Sequence, residues 1–203
     1  MGQHPNRLSD PLLGKMWKTK SARFNAHARL LTKHWLSTTA TAILSFYLIV
    51  ASLIPLVYEA NLPPAGSKFL AVITLVISIL LIIVTLIESA RNYHGEADRM
   101  HKCALSISEI YNRLQAMTLD FADKNRITLN EEYSNVLLKY EINHKDIDFI
   151  RFQVAFADDL NMRGGQRAWN ITKYMILWLA EYSMYIVIIA APPLAAIAYA
   201  ARM

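Results

Sequence analysis

Two stretches decide the fold: LSTTATAILSFYLIVASLIPLVY, from Leu36 to Tyr58, and FLAVITLVISILLIIVTLI, from Phe69 to Ile87. Neither contains a charged residue, and each is long enough to cross a hydrocarbon core of about 30 Å as a helix. Peptide groups in lipid need partners within their own segment, which selects helices over isolated strands. Pro55 falls in the last turns of the first stretch, where a kink is tolerable. Between them, EANLPPAGSK (Glu59 to Lys68) carries Pro63, Pro64 and Gly66 and forces a tight antiparallel return. The core expectation is a membrane hairpin of residues 36–90, with spans at 36–58 and 69–87. A cleaved signal peptide is the competing reading of the first span. It fits poorly, because the span lies far from Met1, is too long for a signal core and has no small-residue cleavage site.

The rest of the chain fits around that hairpin. Of 203 residues, 54% are hydrophobic, and they are blocked along the chain where a soluble domain would distribute them by face. The formal charge of +5 also has a place. Arg7, Lys15, Lys18, Lys20, Arg23, Arg29 and Lys33 precede the first span against one acid, Asp10, whereas residues 91–173 carry twelve basic and twelve acidic side chains. The positive-inside rule then puts the N-terminus and residues 91–173 in the cytoplasm and the Pro-rich loop outside. Cys103 is the only cysteine, which rules out an internal disulfide and a cysteine metal cluster and suits a reducing compartment.

Residues 1–35 read as a basic arm. Leu13, Trp17, Phe24 and Leu31 fall near one face of a helix whose other faces are basic, a pattern suited to an anionic leaflet, an acidic partner or a nucleic acid; the membrane surface is the expected place. Residues 91–173 read as a cytosolic helical domain. The second span is expected to run on unbroken, past a tolerated Gly95, to about Asp123, with Ala97, Met100, Ala104, Ile107, Ile110, Tyr111, Leu114 and Met117 forming an apolar stripe. Thr128 and Glu131 look like a capping box that starts another helix, a break is expected near Asn143, and Gly164-Gly165 is expected to end the run. Residues 174–203 form an apolar segment interrupted by Glu181 and by Pro192-Pro193. It is either a third span with a proline kink or a buried or interfacial helix. The fold class is therefore an all-α membrane protein: a transmembrane hairpin, a cytosolic helical bundle and a C-terminal apolar helix.

Candidate functional residues follow from spacing. Thr38, Thr41, Ser45 and Ser52 share one side of the first span, and Thr74, Ser78, Thr85 and Ser89 share one side of the second, with Glu88 beside its cytoplasmic end. Such stripes can line a hydrated pore if several hairpins assemble, with Glu88 and Arg91 near its mouth. Small hydroxyl residues equally pack helix on helix and bond back to their own carbonyls. His94, Asp98 and His101 share a helical face at metal-ligand spacing, but no fourth ligand is evident and no metal is expected. Asn143, His144 and Asp148 sit near a helix junction, either as caps or, with Arg151, as ligand contacts. No glycine-rich phosphate loop, nucleophile motif or carboxylate pair in a recognisable motif is present, so neither an enzyme nor a cofactor is expected.

Several segments resemble the SLATT family of small bacterial conflict-system effectors. They are Arg23-Phe24, the span exit Glu88-Ser-Ala-Arg91-Asn92-Tyr93, Ala97-Asp-Arg-Met100-His101-Lys-Cys103, Ile110-Tyr111-Asn112-Arg-Leu114, and Tyr140-Glu141-Ile-Asn143-His144-Lys-Asp-Ile-Asp148-Phe149. The resemblance implies an anti-phage, pore- or channel-forming effector in the bacterial inner membrane. It would be a homo-oligomer held silent until a nucleotide or oligonucleotide signal arrives, and be encoded near a nucleotidyltransferase or reverse transcriptase. Arg91, His94, Arg99, His101, Lys102, Asn143, His144, Asp148 and Arg151 are the gating or ligand candidates. A membrane anchor that recruits a cytosolic partner without conducting ions is the alternative.

Overall fold

A computed structural model describes residues 7–57 and 64–200, with side chains described as far as Leu194. Six helices follow in order: α1 (Pro11–Val57), α2 (Pro64–Ala90), α3 (Tyr93–Ala116), α4 (Leu119–Tyr140), α5 (Asp146–Ala155) and α6 (Gly164–Ala200). Among the described residues there is no strand. The chain forms two compact units, one of Met1–Thr32 with Tyr93–Ala180, the other of Lys33–Asn92 with Glu181–Met203. The hairpin loop lies outside the described residues, except that its last five residues begin α2.

In the first unit, Asp10 starts α1. Its Oδ1 accepts the backbone N–H groups of Leu12 (2.8 Å) and Leu13 (3.1 Å), and Pro11 follows at the helix position where a missing N–H costs nothing. The same carboxylate receives both Nη atoms of Arg126 on α4, each at 3.1 Å. Burial opposes ionisation of Asp10, but Arg126 and the two N–H groups outweigh it and hold its carboxyl below the usual range.

The apolar stripe of the arm packs inside the first unit. Leu13, Met16 and Trp17 are buried in one core with Cys103, Ile107 and Leu114 of α3, Leu129 and Tyr133 of α4, and Phe152 of α5. Trp17 meets the rings of Phe152 and Phe156 edge-on, with centroids 4.9 and 5.2 Å apart. Each such side chain withdrawn from water stabilises the fold by about 1.5–3 kcal/mol. The apolar stripe thus packs on protein, which satisfies it as well as lipid would. Part of the basic face turns inward too. Arg29 Nε and Nη2 donate to Asp148 Oδ1 and Oδ2 at 2.8 and 2.9 Å, with both residues buried.

Four helix boundaries differ from expectation. The second span is not continuous with the cytosolic helix: α2 ends at Ala90, and Asn92 takes a left-handed φ of 39° before α3 begins. Asparagine adopts that conformation at little cost, and it ends helices as glycine does. The stripe helix then stops at Ala116 rather than near Asp123, and Thr118 is extended at the start of α4. Thr128 and Glu131 consequently lie inside α4 and start nothing. Gly164 and Gly165 open α6, where Gln166 Oε1 accepts the Arg163 N–H at 3.2 Å; the preceding run has already ended at α5. The break near Asn143 is present: Glu141 closes α4 with φ 46°, and Asp148 Oδ2 accepts the Lys145 N–H (3.0 Å) to start α5. Gly95 lies within α3 as expected.

In the second unit α1 and α2 present their large apolar side chains outward. Phe46, Ile49, Leu53, Val72, Leu75, Ile79, Ile82 and Leu86 are all exposed. A soluble protein would hide that much contiguous apolar surface, and a bilayer solvates it. Three helices, α1, α2 and α6, are long and apolar enough to cross a membrane.

Asp148→Ala removes both carboxylate bonds from the buried Arg29 guanidinium and should cost about 3–5 kcal/mol. Arg113→Ala, which breaks an exposed pair with Glu132, should cost under about 1 kcal/mol. Thermal unfolding of the detergent-solubilised protein by circular dichroism distinguishes the two. Similar losses for both variants would contradict this view of Arg29–Asp148.

Candidate functional site

In the membrane unit the hydroxyl stripes are in place, and their hydrogen bonds run back into their own helices. Thr38 donates to the His34 carbonyl (3.0 Å), Thr41 to that of Ser37 (2.8 Å), Ser45 to that of Thr41 (2.8 Å) and Ser52 to that of Ile49 (2.8 Å). On α2, Thr74, Ser78 and Thr85 donate to the carbonyls of Leu70, Thr74 and Leu81, each at 2.8 Å. Their protons are used, while each oxygen keeps an acceptor lone pair. Thr38, Ser52, Thr85 and Ser89 are exposed; Thr41, Ser45, Thr74 and Ser78 are half-buried.

The charged end of this unit is built by residues that spacing alone did not single out. Tyr185 on α6, almost fully buried, donates its hydroxyl to Glu88 Oε2 at 2.9 Å. Glu88 Oε1 is buried without a hydrogen-bond partner among the described residues. Four residues before Tyr185 on the same helix, Glu181 pairs with Lys33 of α1, itself buried. Tyr182 and Tyr185 close over Ala40. The lone charge inside the last apolar segment was the available signal; its partner lies too far away in sequence for any spacing rule to find.

The expected ligand residues of the body do not converge. Asp148 is spent on Arg29 and on starting α5, and its carbonyl accepts Asn25 Nδ2 at 3.0 Å. Asn143 Oδ1 accepts the His144 N–H (3.0 Å), a local cap. Arg91, His94, Arg99 and Arg151 are exposed. Asp98 pairs with Lys102 one turn along α3 at 2.7 Å, which holds its carboxyl below the usual range. His101 turns from that face toward His27 and Phe24, with ring centroids 4.6 and 5.8 Å away. Among the described residues no three metal-ligating side chains come together.

What the structure also buries is a second arginine, without a carboxylate bond of its own among the described residues. Arg23 is 4% exposed, donates Nη1 to Cys103 Sγ at 2.8 Å, and has an Nε without a partner among the described residues. Burial raises the Cys103 pKa against the opposing pull of Arg23, so the thiol stays neutral. The Nδ1 atoms of His101 and His144 are buried and unpartnered as well. Burial first, and then the Arg23 charge, pushes the His144 pKa below the ordinary histidine value. Arg23 thus meets a neutral thiol where Arg29 meets a carboxylate.

Residues 7–199 match the family described as SMODS and SLOG-associating 2TM effector domain family 5. No curated protein and no solved structure matches the chain.

The depressed His144 pKa has a sign. The folded protein holds that imidazole neutral, so the unfolded chain takes up the proton first. The stability it contributes is complete above the unfolded pKa of about 6.5 and is lost as pH falls below it toward the folded pKa. The melting temperature should therefore drop between pH of about 7.5 and 5.5, and His144→Gln should remove part of that slope. An unchanged slope in the variant would contradict the assignment.

Proposed function

The chain belongs to the SMODS and SLOG-associating 2TM effector domain family, and we propose that it acts by permeabilising a bacterial cytoplasmic membrane as a homo-oligomeric pore in anti-phage defence. The observation that carries this reading is Glu88, an ionisable residue at the end of an apolar helix with one carboxylate oxygen unpartnered. A carboxylate at the mouth of an apolar helix bundle draws cations toward a pathway, as rings of Asp and Glu do in cation pores. The hydroxyl oxygens of Thr74 and Ser78, which retain acceptor capacity, supply further polar lining once several copies assemble.

The signal acts on the body. A nucleotide or oligonucleotide suits the basic arm, where Arg7, Lys15, Lys18 and Lys20 stand against one acid, Asp10. The N-terminus and the body lie in the cytoplasm, on the strength of seven basic residues against one acid before the first span. With α2 and α3 broken at Asn92, α1 and α6 are the helices that run unbroken between the two units, and α1, whose first turns lie in the body's core, is the element through which the signal reaches the span. The second reading, a non-conducting membrane anchor, draws on the back-bonded hydroxyls, which pack helices without needing water.

Potassium-loaded vesicles containing the purified full chain test the choice, together with depolarisation of cells expressing it with and without its neighbouring gene. The pore reading expects gradient loss that steepens with protein-to-lipid ratio. It also expects Thr74→Val with Ser78→Ala to lower the flux several-fold while leaving the inserted amount unchanged, and Glu88→Gln to change cation over anion preference. Vesicles and cells that hold their gradients under every condition leave the anchor reading standing.

A further inference from the structure

The second unit carries an observation that the two-span description of the family does not account for. α6 continues as a helix through Pro192 and Pro193. A proline has no N–H to give, so Pro192 and Pro193 deprive the carbonyls four residues back, at Ile188 and Ile189, of their helical partners. The second of these is taken: Tyr47 on α1 donates its hydroxyl to Ile189 O at 3.0 Å. On a solvated helix water would do this at no cost. In hydrocarbon an orphaned carbonyl costs several kcal/mol, and only a neighbouring side chain can supply the bond. A tyrosine placed at the one carbonyl that Pro193 frees is what burial in lipid demands.

Three further features agree. The stretch from Tyr182 to Ala200 has nineteen residues and no charge, which at 1.5 Å per residue gives about 28 Å, close to the hydrocarbon thickness. Its entry is marked by Glu181, whose charge is matched by Lys33. Its side chains divide by face. Tyr182, Tyr185, Ile188 and Ile189 pack with Leu36 and Ala40, while Ile186, Val187 and Leu194 point outward and are exposed. On α1, the matching face runs through Lys33, Leu36, Ala40 and Tyr47, at the three- and four-residue steps of a helix–helix seam.

We infer that α6 is a third membrane span, docked on that face of α1, and that the chain beyond it emerges on the side of the membrane opposite the body. The side is read from the basic arm, as in the function proposed above; the spanning is independent of whether the assembly conducts. The membrane unit is then a three-helix bundle, and α6 covers one flank of α1 that would otherwise be open to a neighbouring copy.

The full chain tests this by chemical labelling. A Met203→Cys variant in intact spheroplasts should react with a membrane-impermeant maleimide, while the natural chain, whose only cysteine is the buried Cys103, should not. A C-terminal alkaline phosphatase fusion should be active, and a C-terminal green fluorescent protein fusion dark. A Met203→Cys variant that reacts only after the spheroplasts are lysed, with a bright fluorescent fusion, overturns the third span whatever the vesicle experiments give. In that labelling background, Tyr47→Phe should lower the outside-labelled fraction several-fold, and adding Pro193→Leu should restore it, because the freed carbonyl regains an N–H. Equal labelling with and without Tyr47→Phe, or no rescue by leucine, removes the Tyr47 bond from the argument.

Discussion

Inside a bilayer no water is available to a peptide group, and the membrane unit is arranged around that constraint. It selects helices for both hairpin segments. It explains why Thr74, Ser78 and Thr85 turn their hydroxyls to carbonyls one turn back, since a hydroxyl pointed at lipid would be left with an unused donor. It also explains Tyr47, whose hydroxyl reaches from α1 to α6 at a carbonyl which proline chemistry leaves open. Outside that unit the same helical chain meets water, and the rules change: apolar side chains turn inward, and the charged ones are sorted by whether they have a partner.

The body shows that sorting in two arginines of one helix. Arg29 meets Asp148 with two parallel bonds, and the carboxylate also starts α5, so one buried charge pair ties α1 to the start of α5. Arg23, nearly two turns earlier, faces the neutral Cys103 thiol. A buried cation without a carboxylate is expensive.

How much of this was legible in the sequence depends on the range of the interactions concerned. The hairpin was, because charge-free length is a local property. The stripe of α3 was, from Ala97 to Leu114, because a helix repeats every few residues. The end of α2 was not: Asn92 in a helical context looks like any polar residue, and its left-handed backbone follows from where Tyr93 must pack. The packing of the arm was not, because Leu13 and Trp17 suit lipid and protein equally, and only the facing Phe152 decides. Of the candidate site residues, Glu88 and His144 sit in unusual surroundings, whereas Asp148 is structural. The pairings of Lys33 with Glu181, of Tyr185 with Glu88 and of Tyr47 with Ile189 were not legible, because each joins residues on different helices.

The central claim is that three apolar helices form one lipid-embedded bundle, with Tyr47 supplying one bond that proline removes. Amide hydrogen–deuterium exchange of the full chain in lipid nanodiscs reads this directly. Amides from Leu70 to Leu86 and from Tyr182 to Ala191 should stay protected alike over hours, far longer than those of the exposed Asn130–Glu131 turn of α4. Exchange of the Tyr182–Ala191 amides at the rate of that exposed turn, with Leu70–Leu86 still protected, would contradict it.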